Sequence, residues 1–459
     1  MNLSIRPLRS VAALAIAALI VGYAGVRSPS AQAANGRGNI SVPMLSAAVS
    51  ASSGTISAST TIGEPNFASR EVPRSSASFV DSVGVVVHYP YADSPYHRYP
   101  QRYTDLIKAL HIRNIRANGN TNSLPYFDQL CASGVHHTVS FNVGVNEAIV
   151  RQQIGMYGAN CIDAVEPSNE YDAYGLNPKH PDPNWVRTII NEQKTLYRIM
   201  KSNPAWRNIT VLGPSLASAA RWPLLGNLEA ISDAGNQHDG TCDGNPLTKQ
   251  YKNIVHNLAL VRVSYPTKPI WTGETNYAND PRTSRCAVSK EVAAKYVPRM
   301  FLDRYNLGIP HTFLYELSDD AAEGPGWGTL GLTDNQANAW PAYRSLQSLL
   351  AILPSASSAS LVPLSYSVSG STADVDHALL QSSDGTYFML LWIEVPSWNV
   401  KTKRDIQVSP QRIEMTLPSR YRSATYYTAN SEYGLDKAMV HGNRLTLTVS
   451  DSPSVLQLR

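Results

Sequence analysis

From Phe79 onward the chain alternates short apolar runs with helix-length segments, and this rhythm constrains the fold more than any other feature. The runs are Val83–His88, Ile112–Arg116, Thr138–Val143, Ile162–Val165, Ile209–Gly213, a weak one at Leu228–Ser232, Pro269–Gly273 and His311–Tyr315. Between them lie helical patterns at Tyr103–Leu110, Trp185–Lys201, Tyr251–Val261, Lys290–Tyr305 and Trp340–Leu353. Val186, Ile189, Ile190, Gln193 and Leu196 keep helical spacing. Ser289 stands where an N-cap belongs and Gly308 where a C-terminal glycine belongs. Strand-helix alternation of this kind predicts a parallel sheet covered by helices, and eight units predict a (β/α)8 barrel.

After Pro354 the rhythm changes. Asp374–Gln381, Tyr387–Val395, Arg412–Leu417, Ser423–Thr428 and Asn443–Val449 alternate in character and are separated by turn residues. They predict an all-β sandwich. The expected division is a barrel over 78–353 and a sandwich over 354–459. Residues 34–77, rich in Ser, Ala, Thr and Gly, read as a linker or arm, with one possible strand at Thr55–Ile62.

The N-terminus has the three parts of a secretory signal. Arg6 and Arg9 precede an apolar run from Val11 to Val26, and Ala31-Gln32-Ala33 follows as a cleavage site. Cleavage after Ala33 makes 1–33 a signal peptide and places the mature chain outside the cytoplasm. No second run is long enough to span a membrane. A formal net charge of +4 over 459 residues, without a basic cluster, gives no reason to expect a nucleic-acid partner. No obligatory protein partner is implied either. The four cysteines sit where export favours pairing. Cys131 and Cys161 precede strands and fall on the lower barrel face, whereas Cys242 and Cys286 follow strands and fall on the upper face. The expected disulfides are Cys131–Cys161 and Cys242–Cys286.

Two glutamates carry the chemistry. Glu170 follows the fourth strand in Glu166-Pro167-Ser168-Asn169-Glu170, and Glu274 ends the seventh in Trp271-Thr272-Gly273-Glu274. Carboxylates at strand carboxyl ends meet over the upper cleft of a barrel. Retaining glycosidic cleavage needs two such groups, one to protonate the leaving oxygen and one to attack the anomeric carbon. Asn146-Glu147 is a rival because it also follows a strand; Asn191-Glu192 lies in a helix and reads as a solvated face. The chain lacks a Gly-x-Ser-x-Gly elbow and a His-Glu-x-x-His motif, so neither a serine hydrolase nor a catalytic metal or other cofactor is expected. Loop aspartates Asp319 and Asp320 leave a calcium site open.

Those segments resemble the strand-four Asn-Glu and strand-seven Glu of the clan A glycoside hydrolases. Gly331-Leu332-Thr333-Asp334 and Trp340-Pro341-Ala342-Tyr343, followed by the β-module, are similar to members with an appended sandwich, among them the xylosidase, exopolysaccharide-hydrolase, glucuronidase and heparanase families. The resemblance implies a retaining enzyme acting on a carbohydrate substrate, with Glu170 as acid/base and Glu274 as nucleophile. It implies that Asn169 bonds the sugar 2-hydroxyl and that Arg116 neighbours the nucleophile. His238 matches a histidine of the sixth strand, but Gly240 stands where the clan has a nucleophile-orienting tyrosine, a role Tyr277 could take. Tyr315 and Trp327 would be sugar platforms, and His88 and Asn142 polar contacts. A transglycosylase and a non-catalytic sugar-binding barrel are the alternatives.

Overall fold

The computed structural model describes residues 67–459 except 120–122, 142–143, 180, 248–253, 285, 325 and 357–359. The signal segment, Thr55–Ile62 and Asn142 lie outside the described residues.

The described chain begins with β1 (Phe67–Glu71) and β2 (Arg74–Ser75). Both fall in the stretch that reads as a linker, yet both are strands of the C-terminal module: β1 pairs antiparallel with β11 (Leu364–Gly370), and β2 pairs with β12 (Val375–Gln381). Arg74 anchors this entry segment by donating to the Tyr305 carbonyl at 2.6 Å while lying over the Tyr305 ring.

The barrel strands are β3 (Val83–Val86), β4 (Asn114–Asn118), β5 (His136–Phe141), β6 (Ile162–Ser168), β7 (Thr210–Val211), β8 (Gly235–His238), β9 (Ile270–Thr275) and β10 (Thr312–Leu314). All neighbours are parallel, in the order β7-β6-β5-β4-β3-β10-β9-β8. A parallel bridge between Leu212 and Ala234 joins the two outer strands and closes the ring. The sixth strand is displaced from its expected place. Leu228–Ser232 contains a 3-10 turn over Glu229–Ile231, and the strand is Gly235–His238. Two of its residues, Asn236 and His238, face a polar layer inside the barrel, so it lacks the apolar signature of its neighbours. Gly235 is required there: a Cβ would stand 2.6 Å from the buried ring of Tyr265.

The helices follow the sequence pattern closely. Trp185–Ser202 buries Trp185, Ile189, Gln193 and Leu196 on one face. Ser289 caps Lys290–Asn306, its Oγ accepting from the Val292 amide at 3.1 Å. Gly308 follows with φ of +80°. Among the described residues no helix is long and apolar enough to cross a membrane. Both disulfides form with the expected partners, with Cα separations of 5.5 Å for Cys131–Cys161 and 4.3 Å for Cys242–Cys286.

The remaining strands are β13 (Tyr387–Ile393), β14 (Trp398–Asn399), β15 (Arg404–Asp405), β16 (Gln411–Thr416), β17 (Ser423–Ala429), β18 (Leu435–His441), β19 (Arg444–Val449) and β20 (Ser454–Leu458). One sheet runs β1-β11-β16-β19 and the other β18-β17-β20-β13-β12-β2. Leu364, Met389, Leu391, Ile413, Leu447 and Leu456 fill the space between them. The second sheet also packs on the barrel, where Leu380, Phe388, Leu390 and Trp392 join the core that surrounds the barrel strands. Arg299, fully buried on helix Lys290–Asn306, crosses this junction to Glu394 (2.9 Å) and also donates to Asn245 (2.6 Å) in the barrel loop after β8.

Candidate active site

Side chains alternate across a strand, so a step of two residues along each barrel strand moves one layer up the interior. Val86, Ala164, Leu212, Ala234, Trp271 and Phe313 form a lower, apolar layer. One step higher, Ala164 gives way to Glu166 and Ala234 to Asn236. Glu166 is fully buried. It accepts from Arg116 Nε at 2.7 Å, from Arg116 Nη2 and from Asn236 Nδ2. The same guanidinium donates through Nη1 to Glu274 Oε1 at 2.6 Å and through Nη2 to Asn169 Oδ1 at 2.7 Å. Burial works against the charge on Arg116, but the Glu166 and Glu274 carboxylates outweigh it and raise its pKa.

Glu170 is delivered by the end of β6. Ser168 Oγ donates to Glu192 Oε2 at 2.5 Å, and Glu192 Oε1 accepts from the Gly144 amide at 3.0 Å. Glu192 is therefore buried and grips the strand end, contrary to its reading as a solvated helix face. Beyond this clamp the backbone turns sharply. Glu170 has φ of +44° and ψ of +46°, the left-handed region, and caps helix Tyr171–Gly175. A non-glycine residue held there costs about 1–3 kcal/mol, a strain characteristic of functional positions. Ser215 fixes the turn: its Oγ accepts from the Glu170 amide at 3.2 Å and donates to Asn169 Oδ1 at 3.3 Å. With Oδ1 of Asn169 engaged twice, its amide nitrogen is the branch turned away from Arg116.

Glu274 reaches the cleft through a bulge. On one side Gln237 and His238 pair with Thr272 and Glu274; on the other Thr312 and Leu314 pair with Thr272 and Thr275. Strand β9 therefore carries one residue more than either neighbour, and the extra residue lets Trp271 and Glu274 both face inward. Gly273 occupies the bulge, where a Cβ would lie 2.3 Å from Asn236 Oδ1 and 3.1 Å from His238 Nε2. Only glycine fits.

His238, at the end of β8, stands between the two glutamates. Its Nδ1 lies 2.9 Å from Glu170 Oε1 and 3.6 Å from Glu274 Oε2. An oxygen of Glu170 and one of Glu274 come within 4.8 Å of each other. Burial disfavours the imidazolium, but the charges of Glu274 and Glu170 prevail and raise the His238 pKa above 6.5. The rival Glu147 is half exposed and paired with Arg151 at 2.7 Å, while Asn146 caps the helix that Glu147 begins.

Strands β10 and β3 supply a second wall. The Tyr315 amide bonds the Thr275 carbonyl at 2.7 Å, beside Glu274, and its hydroxyl donates to Glu323 Oε1 at 2.5 Å. The Tyr315–Glu316 peptide is cis. His88 meets the Tyr315 ring edge-on at 5.3 Å, with Nδ1 3.1 Å from Glu316 Oε2 and 3.6 Å from Glu323 Oε1. Burial and the charges of Glu323, Glu316 and Glu274 raise the Tyr315 phenol well above its ordinary value. Trp327 packs with Tyr315 against Ala278, Ala287 and Leu330.

The structure thus gathers Glu170, Glu274, Asn169, Arg116 and His238 in one cluster, with His88 and Tyr315 beside it. It does not bring Tyr277 there: that hydroxyl donates to the Gly244 carbonyl at 2.9 Å and the ring packs 5.3 Å from Tyr296. Residue 277 lies an odd number of steps beyond Glu274, so it points into the helical shell. Asp319 accepts from Gly331, Trp340 and Asn279, and Asp320 caps Ala322, which gives both loop aspartates structural roles. Among the described residues, Glu170–His238–Glu274 and His88–Glu316–Glu323 are the groups whose donor atoms are close enough to hold an ion.

Protein-family models give no match to this chain, and no curated protein matches it. Solved structures similar to it include a glycoside hydrolase family 17 β-1,3-glucanosyltransferase from Rhizomucor miehei, at 12% identity and TM-score 0.44, covering 58% of this chain and 97% of that one. A putative β-galactosidase from Bacteroides fragilis is 9% identical at TM-score 0.45, with 81% of this chain and 55% of that chain covered. Bacteroides uniformis β-glucuronidase is 13% identical at TM-score 0.45, with 81% and 46% covered.

Proposed function

We propose that this protein is a secreted, retaining glycoside hydrolase in which Glu274 is the nucleophile and Glu170 the acid/base. The observation that carries the reading is the approach of a Glu170 oxygen to a Glu274 oxygen within 4.8 Å at the upper end of the barrel. Retaining enzymes hold their carboxyl groups about 5–5.5 Å apart, whereas inverting enzymes leave room for a water between them. Arg116 holds Glu274 Oε1, which leaves Oε2 facing the gap.

In the first step Glu274 Oε2 attacks the anomeric carbon and forms a glycosyl ester, while the bond to the leaving oxygen breaks and Glu170 supplies that oxygen with a proton. In the second step water attacks the same carbon, gives a proton to Glu170 and releases the Glu274 carboxylate. The Asn169 amide nitrogen is placed to donate to the 2-hydroxyl. His238 spans both carboxylates and positions them relative to each other. Export is supported by the signal-like head of the chain and by two disulfides, which persist in oxidising compartments.

The test is a screen of aryl glycosides and polysaccharides against the purified chain, with Glu170→Gln and Glu274→Gln as controls. Turnover with retention of anomeric configuration, lost in both variants, is the expected result. Wild-type rates in Glu274→Gln would refute the assignment.

A further inference from the structure

We propose that Glu166 is a positioning residue for the nucleophile: it aims the Arg116 fork at Glu274 and shares its charge, so that Glu274 is held without being neutralised. This rests on the assignment of Glu274 made above and deepens it by adding a carboxylate that acts only through Arg116. Glu166 lies within β6, before the Asn169-Glu170 turn, and is fully buried. An ionised carboxylate at that depth is stable only where partners replace its hydration. It has partners on both oxygens. Oε1 accepts from Arg116 Nε at 2.7 Å and from Nη2, and Oε2 accepts from Asn236 Nδ2. Asn236 is committed to this contact. Among the described residues its side chain makes no other hydrogen bond, and its Oδ1 is left without a partner.

Two N–H groups gripped by one oxygen fix the plane of the guanidinium. Its free edge then points at the cleft, where Nη1 donates to Glu274 Oε1 at 2.6 Å and Nη2 reaches Asn169 Oδ1 at 2.7 Å. One cation thus stands between two anions. Against the cost of burial, Glu166 first and Glu274 second favour the charged guanidinium. The trio therefore keeps a net negative charge. A carboxylate in a private ion pair with arginine must give up that attraction to attack the anomeric carbon, which makes it a poor nucleophile. A carboxylate that shares its arginine keeps more of its charge for the attack. Glu166→Gln removes the sharing at nearly constant shape. His238 reports the change without turnover. Burial lowers the pKa of its imidazole, Glu274 and Glu170 raise it on balance, and Arg116 opposes them.

The experiment titrates the His238 imidazole of the full chain by NMR, its signal assigned with His238→Asn, and measures kcat/KM for an activated aryl glycoside on the same variants. In Glu166→Gln the guanidinium is less compensated, so the His238 midpoint should fall by about half a pH unit or more. kcat/KM, which reports formation of the glycosyl ester, should fall by about a hundred-fold. Glu166→Asp keeps the charge one methylene short; it should leave the midpoint near its wild-type value and recover part of the rate. Asn236→Ala keeps the charge and loosens its hold, so kcat/KM should drop by about ten-fold with the midpoint little moved. An unmoved midpoint or an undiminished rate in folded Glu166→Gln would overturn the proposal, since a purely structural Glu166 lowers only the melting temperature. If Glu166→Gln does not fold, a wild-type rate in Asn236→Ala would overturn it. A shifted midpoint in a chain that cleaves no glycoside would sink the hydrolase reading and leave the charge sharing standing. Glycosidase activity with neither readout moved by Glu166→Gln would do the reverse.

Discussion

The two interior layers of the barrel are built by the same strands, yet they differ in almost every physical property. Val86, Ala164, Leu212, Ala234, Trp271 and Phe313 pack as an apolar plug. Two residues further along, those strands contribute Glu166, Asn236, the Gly273–Glu274 bulge, His88 and Tyr315. The lower layer buries only apolar side chains, none of which needs a polar partner. The upper layer buries charges, which is stable only when each charge is paired and hydrogen-bonded. Arg116 does this for two carboxylates at once. The difference teaches that the plug maintains the ring while the layer above accepts a left-handed backbone at Glu170 and a bulge at Gly273, which together bring the two acids to one cleft.

The largest effect that separates the layers should come from Arg116→Met. Removing the guanidinium leaves Glu166 buried without its ion partner, and breaking such a pair is worth about 3–5 kcal/mol. Thermal denaturation should register that loss, and kcat of the folded fraction should fall at least a hundred-fold. Phe313→Ala in the plug should destabilise by a similar amount, about 3–5 kcal/mol, with kcat per folded molecule nearly unchanged. If Phe313→Ala depressed kcat as deeply as Arg116→Met, the two layers would not be functionally distinct.

A smaller effect is expected from Gly273→Ala. The new methyl would press on Asn236, whose amide serves Glu166, so stability should drop by about 1–3 kcal/mol as for other overpacked sites. Activity should fall more than that destabilisation accounts for, because Glu274 sits on the same bulge. The smallest effect concerns pH. His238 has its pKa raised above 6.5 in the folded chain, so its contribution to stability is complete below that pH. It is lost as pH rises through the raised value. Melting temperature should therefore decline across that window in the wild type and decline less in His238→Asn. Identical pH profiles would show that the imidazole does not couple to the two glutamates.

Much of this architecture was legible in the residues because buried parallel strands announce themselves as apolar runs, and Val83, Ile162 and Ile270 each open one. The sixth strand escaped for the converse reason. Gly235-Asn236-Gln237-His238 is polar because two of its residues face the charged layer, and a strand that carries the site loses its hydrophobic signature. Glu170 and Glu274 were readable from their positions at strand ends. Glu166 was not singled out, although a carboxylate inside a strand between Ala164 and Ser168 is itself a signal of a buried pair. Glu192 misled because helical periodicity says which residues share a face and not what that face meets. Tyr277 misled because closeness in sequence to Glu274 does not put a side chain in the cleft: three residues further on, the ring points into the helical shell, onto Gly244 and Tyr296. The wall of Glu316 and Glu323 depends on loop geometry after β10, which local sequence does not encode.

Chemical rescue tests the central claim most directly, since it asks each glutamate for its role separately. Azide added to Glu274→Ala with an activated aryl glycoside should restore turnover and yield a glycosyl azide of inverted configuration. The same azide added to Glu170→Ala should yield a glycosyl azide of retained configuration, formed on the Glu274 ester. Products of the same configuration from both variants, or rescue of neither alongside full activity in either, would contradict the division of labour between the two carboxylates.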